Sequence, residues 1–353
     1  MEPVPKVGNV VITTAKGMKW LPVLLPSIAR QTYTDRETTV VVDGADPTVL
    51  EYLRSEWRDI EVVPIPEAGG FARAIDRGVR SSRGEYIGIL NDDIELEPDW
   101  LELLVAELDR DPGLGFVTGK TLLYDRRDLI NETSQDLHTC GRFVPRGSEE
   151  KDVGQYDDPG PTAIASASSS VYRRRAVEEA GGFDTDYGIY CEDADLCLRM
   201  LLSGYRGRYV PVARAYHAWA PTMGRSSDAS LFLGNRNTLV TLFKDLPGPV
   251  LLRSLPKVVR YQWWTYKLAR ADHWARTLVR AWASFLRMLP ATLRKRRRIQ
   301  KRRAVSPREF EGFLLTDYPE LPEVVRDPQD MLRFGPARLR LVARDIARRT
   351  ARR

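Results

Sequence analysis

The chain has 353 residues, of which 43% are hydrophobic, and its 54 Lys/Arg exceed its 48 Asp/Glu to give a net charge of +6. This hydrophobic content is ordinary for a soluble globular protein, and the length allows one large domain or a domain with a substantial extension. No charge-free apolar run approaches the roughly 18 residues that a membrane span needs, and the first residues lack the apolar core of a signal peptide.

Charge is divided unevenly along the chain. From residue 251 to the end there are 26 Lys/Arg against 9 Asp/Glu, a net charge of +17, whereas the first 250 residues hold 28 against 39, a net charge of −11. This division predicts an acidic part and a basic part with a different partner. The cysteines are Cys140, Cys191 and Cys197; without paired or metal-type spacing, they favour small buried residues in a reduced, cytoplasmic protein.

The first half alternates between strand-like and helix-like segments, which predicts an α/β fold with a parallel sheet. The predicted strands are Val10–Thr13, Thr38–Val42, Ile60–Pro64, Tyr86–Leu90 and Phe116–Thr118. The predicted helices are Trp20–Gln31, Pro47–Glu56, Phe71–Ser81 and Pro98–Arg110.

The predicted strand Tyr86–Leu90 runs directly into Asn91, Asp92 and Asp93. Adjacent carboxylates at the end of a buried strand are costly unless a positive charge lies against them. A divalent cation that carries a diphosphate would supply it, because Mg²⁺ is usually held by one or two carboxylates and phosphate oxygens. The carboxyl ends of strands are also where open α/β sheets bind ligands. The alternative is a solvated turn without a role.

The segment 124–161 is polar and Gly/Pro-rich without clear periodicity, which predicts a long loop on the acceptor side of a site or a simple surface excursion. After it, small residues at 165–171 predict a strand that substrate can approach closely, and Arg173–Ala180 a helix.

A second acidic cluster begins a predicted helix at Asp193–Leu202. Glu192, Asp193 and Asp195 crowd its N-terminus, where the helix dipole stabilises carboxylates, and capping accounts for one or two acids rather than three. The sequence therefore indicates that one of them takes a proton from a substrate. A strand-like run then ends at His217, which is either structural or a metal ligand.

A helix is predicted from Asp228 to Phe243, and the break at 246–249 separates a domain of residues 1–246 from an extension of residues 247–353. In the extension, apolar residues spaced three or four apart from Trp264 to Leu289 make one helical stripe, with the basic runs 294–298 and 301–303 behind it. Such a stripe suits a bilayer interface. The alternatives are packing on the catalytic domain or on a second subunit. Residues 337–353 repeat the basic helical character.

Together these motifs resemble glycosyltransferase family 2, inverting enzymes with the GT-A fold that use nucleotide-sugar donors. The resemblance covers about residues 8–245, with Asn91–Asp93 at the place of the DXD motif and Glu192–Asp193 at the place of the ED motif. Within the family, the chain looks most like the rhamnosyltransferase-type branch. The expected fold class is a Rossmann-like GT-A domain with a basic, mainly α-helical C-terminal extension.

The resemblance also implies roles for individual residues. Thr13 and Asp43 would line the nucleotide base pocket, Arg73 would lie near the base or diphosphate, and Asp92 would contact the ribose. The other implied residues are Asp93 as a metal ligand, His217 as a further metal or diphosphate contact, Asp193 as general base, and Glu192 as its catalytic neighbour. The implied cofactor is Mg²⁺ or Mn²⁺.

The resulting functional hypothesis is transfer of a sugar, from dTDP-rhamnose or another nucleotide-diphosphate donor, to a hydroxyl of a lipid-linked or cell-surface glycan. A lipid-linked acceptor would explain the basic extension and predicts a cytoplasmic protein peripheral to the inner face of the cell membrane. One alternative is a non-catalytic scaffold or membrane adaptor of the same fold. Another is nucleic-acid binding through the Arg-rich tail, which the lack of interleaved aromatic residues in the basic cluster disfavours.

Overall fold

A computed structural model of the protein describes residues 4–218 and 227–316. The remainder of the extension, with the helix predicted at 337–353, lies outside the described residues. The strands are β1 (Val7–Thr13), β2 (Arg36–Asp43), β3 (Glu61–Ile65), β4 (Tyr86–Asn91), β5 (Ile94–Leu96), β6 (Leu114–Leu123), β7 (Ile130–Glu132), β8 (Gln135–His138), β9 (Phe143–Pro145), β10 (Gly160–Thr162), β11 (Ser169–Arg173), β12 (Arg206–His217) and β13 (Leu314–Leu315). The helices are α1 (Leu21–Ala29), α2 (Pro47–Glu56), α3 (Phe71–Ser81), α4 (Trp100–Arg110), α5 (Arg174–Ala180), α6 (Glu192–Leu202), α7 (Asp228–Asp245), α8 (Gly248–Ala271), α9 (Ala275–Arg302) and α10 (Pro307–Glu311).

A mixed sheet forms the centre of the molecule, in the order β10-β12-β6-β11-β4-β1-β2-β3. Strands β1 to β4 on one side are parallel, and β11 runs antiparallel between β4 and β6. Every residue of β1 is buried. Val10 and Ile12 face one hydrophobic cluster while Val7 and Val11 face the other, as expected when helices cover both faces of a parallel sheet.

Helix α2 begins where local signals place it. The Asp46 side chain caps the helix by accepting from the backbone N–H of Thr48 and Val49, and Pro47 occupies its first turn, which leaves fewer orphan donors at that end. The predicted bounds of α2 and α3 therefore match the structure, whereas α4 begins two residues later than expected, at Trp100.

The long loop expected at 124–161 is wrong as a description of this segment, because strands β7 to β10 lie within it. Two of these strands join the main sheet: β7 pairs with β6, and β10 pairs with β12 at the edge of the sheet. β8 and β9 form a small second sheet, to which β13 from the C-terminal region adds. These strands have two to four residues, too few to show a period of two in the sequence.

The C-terminal helices share the core of the preceding part of the chain. Val250 and Val258 of α8, Phe285 of α9 and Phe310 of α10 belong to the same buried cluster as Ile87 and Ile89 of β4. Polar contacts also join the two parts, since Arg296 donates to the carbonyls of residues 243 and 246, and the Ala304 N–H donates to Leu202. The packing alternative considered for the extension thus has direct contacts in its favour.

The apolar stripe expected to run through Trp264–Leu289 does not lie on one helix. Helix α8 ends at Ala271 and α9 begins at Ala275, with His273 between them at a left-handed φ of 64°. The two helices pack against each other, and Trp282 Nε1 of α9 donates to Gln262 Oε1 of α8 at 2.7 Å. Much of the predicted stripe therefore faces protein rather than solvent, as the burial of Leu278 and Phe285 shows.

Adjacent residues on α9 give a test of this orientation. Phe285 is 6% exposed with its ring centroid 5.0 Å from that of Phe243, whereas Leu286 is 62% exposed. We expect Phe285→Leu to lower the free energy of unfolding by about 1–2 kcal/mol, since the ring contact is lost. Leu286→Ala should change it by less than about 0.5 kcal/mol. Urea unfolding of both variants measures this, and equal losses would contradict the orientation of α9.

Candidate active site

Three strands deliver polar side chains to one edge of the sheet. Thr13 ends β1, Asp43 ends β2, and Asn91 ends β4 with Asp92 and Asp93 following. The parallel register places Ile12 beside Asn91 and Thr13 beside Val42. The carboxyl edge of parallel strands is where ligands bind in open α/β sheets, and the structure brings these sequence-predicted residues together there.

Asp43 also organises the turn that starts α3. Its two carboxylate oxygens accept from the N–H groups of Gly69 at 2.8 Å and Gly70 at 3.1 Å. Gly70 has a φ of 84°, and a Cβ there would lie 3.0 Å from the Gly188 carbonyl, so the turn requires glycine. Arg73, in the first turn of α3, is exposed, and it is not among the residues that line the cavity described below.

Asp92 is tied to β1 by a short hydrogen bond. The Thr13 hydroxyl donates to Asp92 Oδ2 at 2.7 Å. Burial raises the pKa of Asp92 to about 6, and the adjacent Asp93 carboxylate adds to the rise, while the bond from Thr13 opposes it. Thr13 therefore acts on the cavity through Asp92, and its own side chain lies behind the cavity wall.

Asp93 and His217 form a buried pair, with Asp93 Oδ1 3.1 Å from His217 Nε2. His217 Nδ1 lies 2.9 Å from Asn131 Oδ1. If Nδ1 donates its proton to that oxygen, Nε2 carries a lone pair and, like the neighbouring carboxylate, can ligate a cation. Two ligands on adjacent corners of an octahedron of ~2.1 Å bonds lie about 3 Å apart, so the pair fits two positions of one divalent ion.

The rest of a metal shell does not come from protein carboxylates, imidazoles or thiols in residues 4–218 and 227–316, where no group of three or more such side chains could hold an ion. Asn91 Oδ1 is buried at this edge, and among the described residues nothing bonds to it. A buried oxygen without a hydrogen bond needs a polar contact, and a metal ion bound here would supply one. The residues present fit Mg²⁺ or Mn²⁺ as a partly ligated ion that phosphate oxygens and water complete.

A loop of small residues, 166–168, connects the two acidic clusters. The Ala167 N–H donates to Asp193 Oδ2 at 3.0 Å, and the Ser168 carbonyl accepts from the Asn91 N–H at 2.9 Å. The small residues that were predicted to let substrate approach closely thus lie partly in this loop. Strand β11 begins after it, at Ser169. Through the loop, the N-terminus of α6 lies against the end of β4.

The two acids at the start of α6 differ in environment. Burial raises the pKa of Asp193 to about 6, although the N–H groups of Ala167 and Ala194 partly offset the rise. Burial raises the pKa of Glu192 well above its usual range, and the Asp193 carboxylate adds to it. Glu192 Oε2 is buried without a bonding partner in the described part of the chain. With a pKa of about 6, Asp193 is mostly ionised near neutral pH, whereas burial favours the protonated form of Glu192.

Asp195, the third acid of the cluster, does not line the cavity. Although burial alone would raise its pKa, the charges of Arg199 and Lys244 hold the pKa of Asp195 below its usual range. Arg199 donates to it at 2.6 Å, Lys244 forms an ion pair with it, and Tyr187 donates at 3.2 Å. With these contacts the Asp195 carboxylate has a structural role, and it anchors α6 from within the core.

Sequence reasoning missed Asn237, which holds the loop that presents α6. Tyr190 and Cys191, directly before the helix, have left-handed φ values of 75° and 67°, a conformation that costs about 1–3 kcal/mol per residue. Asn237 Nδ2 lies 2.8–3.0 Å from the carbonyls of Tyr187, Ile189 and Tyr190. The available signal was a polar triplet, 235–237, in the middle of an otherwise apolar helix.

These elements enclose a cavity of about 900 Å³. On the side of strands β1, β2 and β4 it is lined by Asp43, Asn91, Asp92, Asp93 and His217, and elsewhere by Glu132, Glu192 and Asp193. Further along, the wall comes from Gln135, Arg142 and Phe143 of the β8–β9 region, Asn235 of α7, and Tyr261 and Gln262 of α8. The C-terminal helices therefore complete the cavity.

Known proteins share this architecture. A 349-residue form of S. aureus TarS aligns with 84% of this chain and 90% of its own, at 14% identity and a TM-score of 0.54. The Pyrobaculum calidifontis mannosyltransferase PcManGT, solved with GDP-Man and Mn²⁺, aligns with 85% and 88% at 18% identity and a TM-score of 0.50. In sequence, the poly-beta-1,6-N-acetyl-D-glucosamine synthase of Staphylococcus aureus (strain COL) is 23% identical over 202 residues, which are 57% of this chain and 47% of the synthase.

The sheet and the cavity at its carboxyl edge define a GT-A fold, which confirms the fold class expected from the sequence. Residues 9–181 match the family model described as glycosyl transferase family 2. The chain spans less than half the length of the synthase that it matches. Within the described residues, no helix is both long enough and apolar enough to cross a bilayer.

Proposed function

We propose that the protein is a metal-dependent inverting glycosyltransferase. It would transfer a sugar from a nucleotide-diphosphate donor, with dTDP-rhamnose the first candidate, to a hydroxyl of a lipid-linked or cell-surface glycan. The observation that carries the proposal is the single cavity in which Asp43, Asp92 and Asp93 face Asp193. Residues 1–246 would be the catalytic domain and residues 247–353 an extension, in a cytoplasmic protein peripheral to the inner face of the cell membrane.

The residues on the donor side would bind the nucleotide and its diphosphate. Asp43 lines the cavity beside the turn that it fixes, where it would meet the base with Thr13 behind it, and Asp92 would meet the ribose. Arg73 is exposed in the first turn of α3 and does not line the cavity, so it would approach the base or diphosphate from outside. Asp93 and His217 would hold Mg²⁺ or Mn²⁺, which when bound supplies positive charge against the leaving diphosphate.

Asp193 would act as the general base. It is ionised near neutral pH, yet its pKa of about 6 makes it a better proton acceptor than an ordinary aspartate. Two backbone N–H groups fix the carboxylate in the cavity. It would take the proton of the acceptor hydroxyl as that oxygen attacks the anomeric carbon opposite the diphosphate, which inverts the configuration. Glu192, whose protonated form burial favours, would lie beside it and could donate a hydrogen bond to a substrate oxygen.

A donor screen tests the proposal. The full chain is incubated with dTDP-, UDP- and GDP-sugars, with Mg²⁺, Mn²⁺ or EDTA, and release of the nucleoside diphosphate is measured with and without a glycan acceptor. We expect one donor class to be hydrolysed slowly, with hydrolysis abolished by EDTA. No turnover of any donor, together with tight donor binding, would instead support the scaffold alternative.

Removing the predicted metal ligand should weaken donor binding. We expect Asp93→Ala to reduce the metal-dependent part of donor affinity by about tenfold or more, or about 1.4 kcal/mol, because the diphosphate loses its ion-mediated contact. Calorimetric titration of donor with and without Mn²⁺ measures it. Asp99→Ala is the matched control, since Asp99 is an exposed acid that makes no capping bond at the start of α4. Unchanged affinity in Asp93→Ala would remove Asp93 from the metal site.

Activity should depend on pH through Asp193. A general base must be deprotonated, so kcat/KM should rise with pH through about 6 and level off above it. The negative charge of Glu132 contributes to the raised pKa of Asp193, after burial. A pH profile at saturating metal measures the inflection. A profile that falls as pH rises through 6 would contradict a base in this position.

A further inference from the structure

The solvent face of α8 carries an apolar stripe that differs from the one expected from the sequence. Leu252, Val259 and Trp263 are 69%, 66% and 56% exposed, and Pro256 is exposed between them. Their spacing of four, three and four residues places all of them on one side of the helix. Single exposed apolar residues are normal on a protein surface, but four aligned over three turns mark an interaction face.

Helix α9 repeats the arrangement. Val279, Leu286 and Leu293 are 48%, 62% and 40% exposed at intervals of seven residues, with Pro290 exposed between the last two. The buried side of the same helix is a separate row that includes Leu278, Ala281, Phe285 and Thr292. Helix α9 thus has an inner apolar face that packs against the protein and an outer one that has no partner among the described residues.

Basic residues border both outer stripes. On α9, Arg280, Arg287 and Arg294 each directly follow an exposed apolar residue, which turns them about 100° around the helix axis. Arg253 and Arg260 follow Leu252 and Val259 on α8 in the same way. From residue 248 to 302 there are 15 Lys/Arg and one acid, Asp272. Neither Arg287 nor Arg294 forms a salt bridge with any described residue.

The charge pattern indicates which partner would bind the outer faces of α8 and α9. A second copy of the chain, docked about a two-fold axis, would bring the same basic face against itself, and like charges would meet. An anionic lipid surface instead accepts apolar side chains at the level of its headgroups and attracts the bordering arginines. The outer faces of α8 and α9 have the two components that such binding needs.

The α8 face also adjoins the cavity. Tyr261 and Gln262 line the cavity wall, and they lie between Val259 and Trp263 of the exposed stripe. The cavity wall and the exposed stripe therefore share one turn of α8. A hydroxyl carried by a lipid in the bilayer would reach the cavity beside this turn.

We propose that the outer faces of α8 and α9, and not the stripe through Leu278 and Phe285, dock on an anionic bilayer and place the α8 wall of the cavity at its surface. This deepens, and rests for its acceptor on, the proposed glycosyltransferase function. The docking itself requires no turnover, so it is measured separately from catalysis.

The test is co-sedimentation of the full chain with phosphatidylcholine vesicles, with and without phosphatidylglycerol. We expect binding that needs phosphatidylglycerol and weakens with salt. Trp263→Ala with Leu286→Ala should weaken binding about tenfold or more through lost apolar insertion. Arg287→Gln with Arg294→Gln should weaken it roughly 25-fold at low salt, about fivefold for each charge. Because all four side chains are exposed, thermal unfolding should be unchanged.

Val212→Ala is the matched control, since Val212 is 61% exposed on β12, outside both helices, and it should bind vesicles as the parent does. Equal binding by the control and both double variants would overturn the proposal. So would vesicle binding that ignores phosphatidylglycerol, a dimer that the Trp263/Leu286 variant dissociates, or pelleting with RNA in place of vesicles. Donor hydrolysis without lipid, measured on the same samples, reports separately whether the proposed function holds.

Discussion

Asp193→Asn should lower turnover by about 10²–10⁴, the usual contribution of general-base catalysis, while leaving donor affinity nearly unchanged. The amide keeps the size of the carboxylate and one oxygen that can accept from Ala167 or Ala194, whose N–H groups now fix the side chain. It cannot take a proton from an attacking hydroxyl. Single-turnover kinetics with saturating donor and acceptor measures the loss, and calorimetry measures donor affinity.

The neighbouring acid provides the control. Burial raises the pKa of Glu192 well above its usual range, and Glu192→Gln keeps the shape of the protonated acid that burial favours. Its turnover should fall much less than that of Asp193→Asn. The assignment would be reversed if Glu192→Gln lost the larger factor and Asp193→Asn kept turnover near that of the parent.

The part of the site built on β1, β2 and β4 could be predicted from the sequence because its signals are local. A buried strand that ends in Asn-Asp-Asp fixes where those side chains emerge, and the parallel register then aligns them with Thr13 and Asp43. The bounds of α2 and α3 were predictable for the same reason, since caps and periodicity act within a few residues. Asn131, which contacts the ring of His217, had no such signal, because it reaches His217 from a three-residue strand 86 positions away.

The extension illustrates a different limit. A helix with apolar residues on two sides contains two rows at helical spacing, and the sequence does not say which row faces the core. The row through Leu278 and Phe285 was predicted to face a membrane, but it packs inward, while Val279 and Leu286, one position later in each case, face solvent. The turn at 272–274 has neither Gly nor Pro, so it too was invisible to pattern reasoning.

A buried ion network also lay beyond sequence reasoning, and it links the C-terminal helices to α6. Lys244 is 1% exposed and pairs with Asp195 and with Asp184, the latter at 2.6 Å. Lys295 of α9 bonds to the other oxygen of Asp184 at 2.5 Å. Asp195 lies two residues from the proposed base Asp193, so the network holds the helix that presents it.

Lys244→Met should therefore lower the free energy of unfolding by about 3–5 kcal/mol, because it leaves buried carboxylates that have lost a cation. Lys6→Met is the surface control. Lys6 pairs with Asp109 where both side chains are about a third or more exposed, so it should cost less than about 1 kcal/mol. Urea unfolding of the two variants gives the comparison.

A second substitution separates charge from shape. Lys244→Met combined with Asp184→Asn removes the cation together with one of its carboxylates, while Asp195 keeps Arg199 and Lys295 keeps Asp186. The two substitutions together should recover part of the lost stability, since replacing both partners costs less than removing one. If the single Lys244 variant were no less stable than the Lys6 variant, Lys244 would not be buried among these acids.

If the network positions α6, turnover in the Lys244 variant should fall at temperatures where the protein remains folded. Donor affinity should be kept, because the proposed donor side is built on β1, β2 and β4.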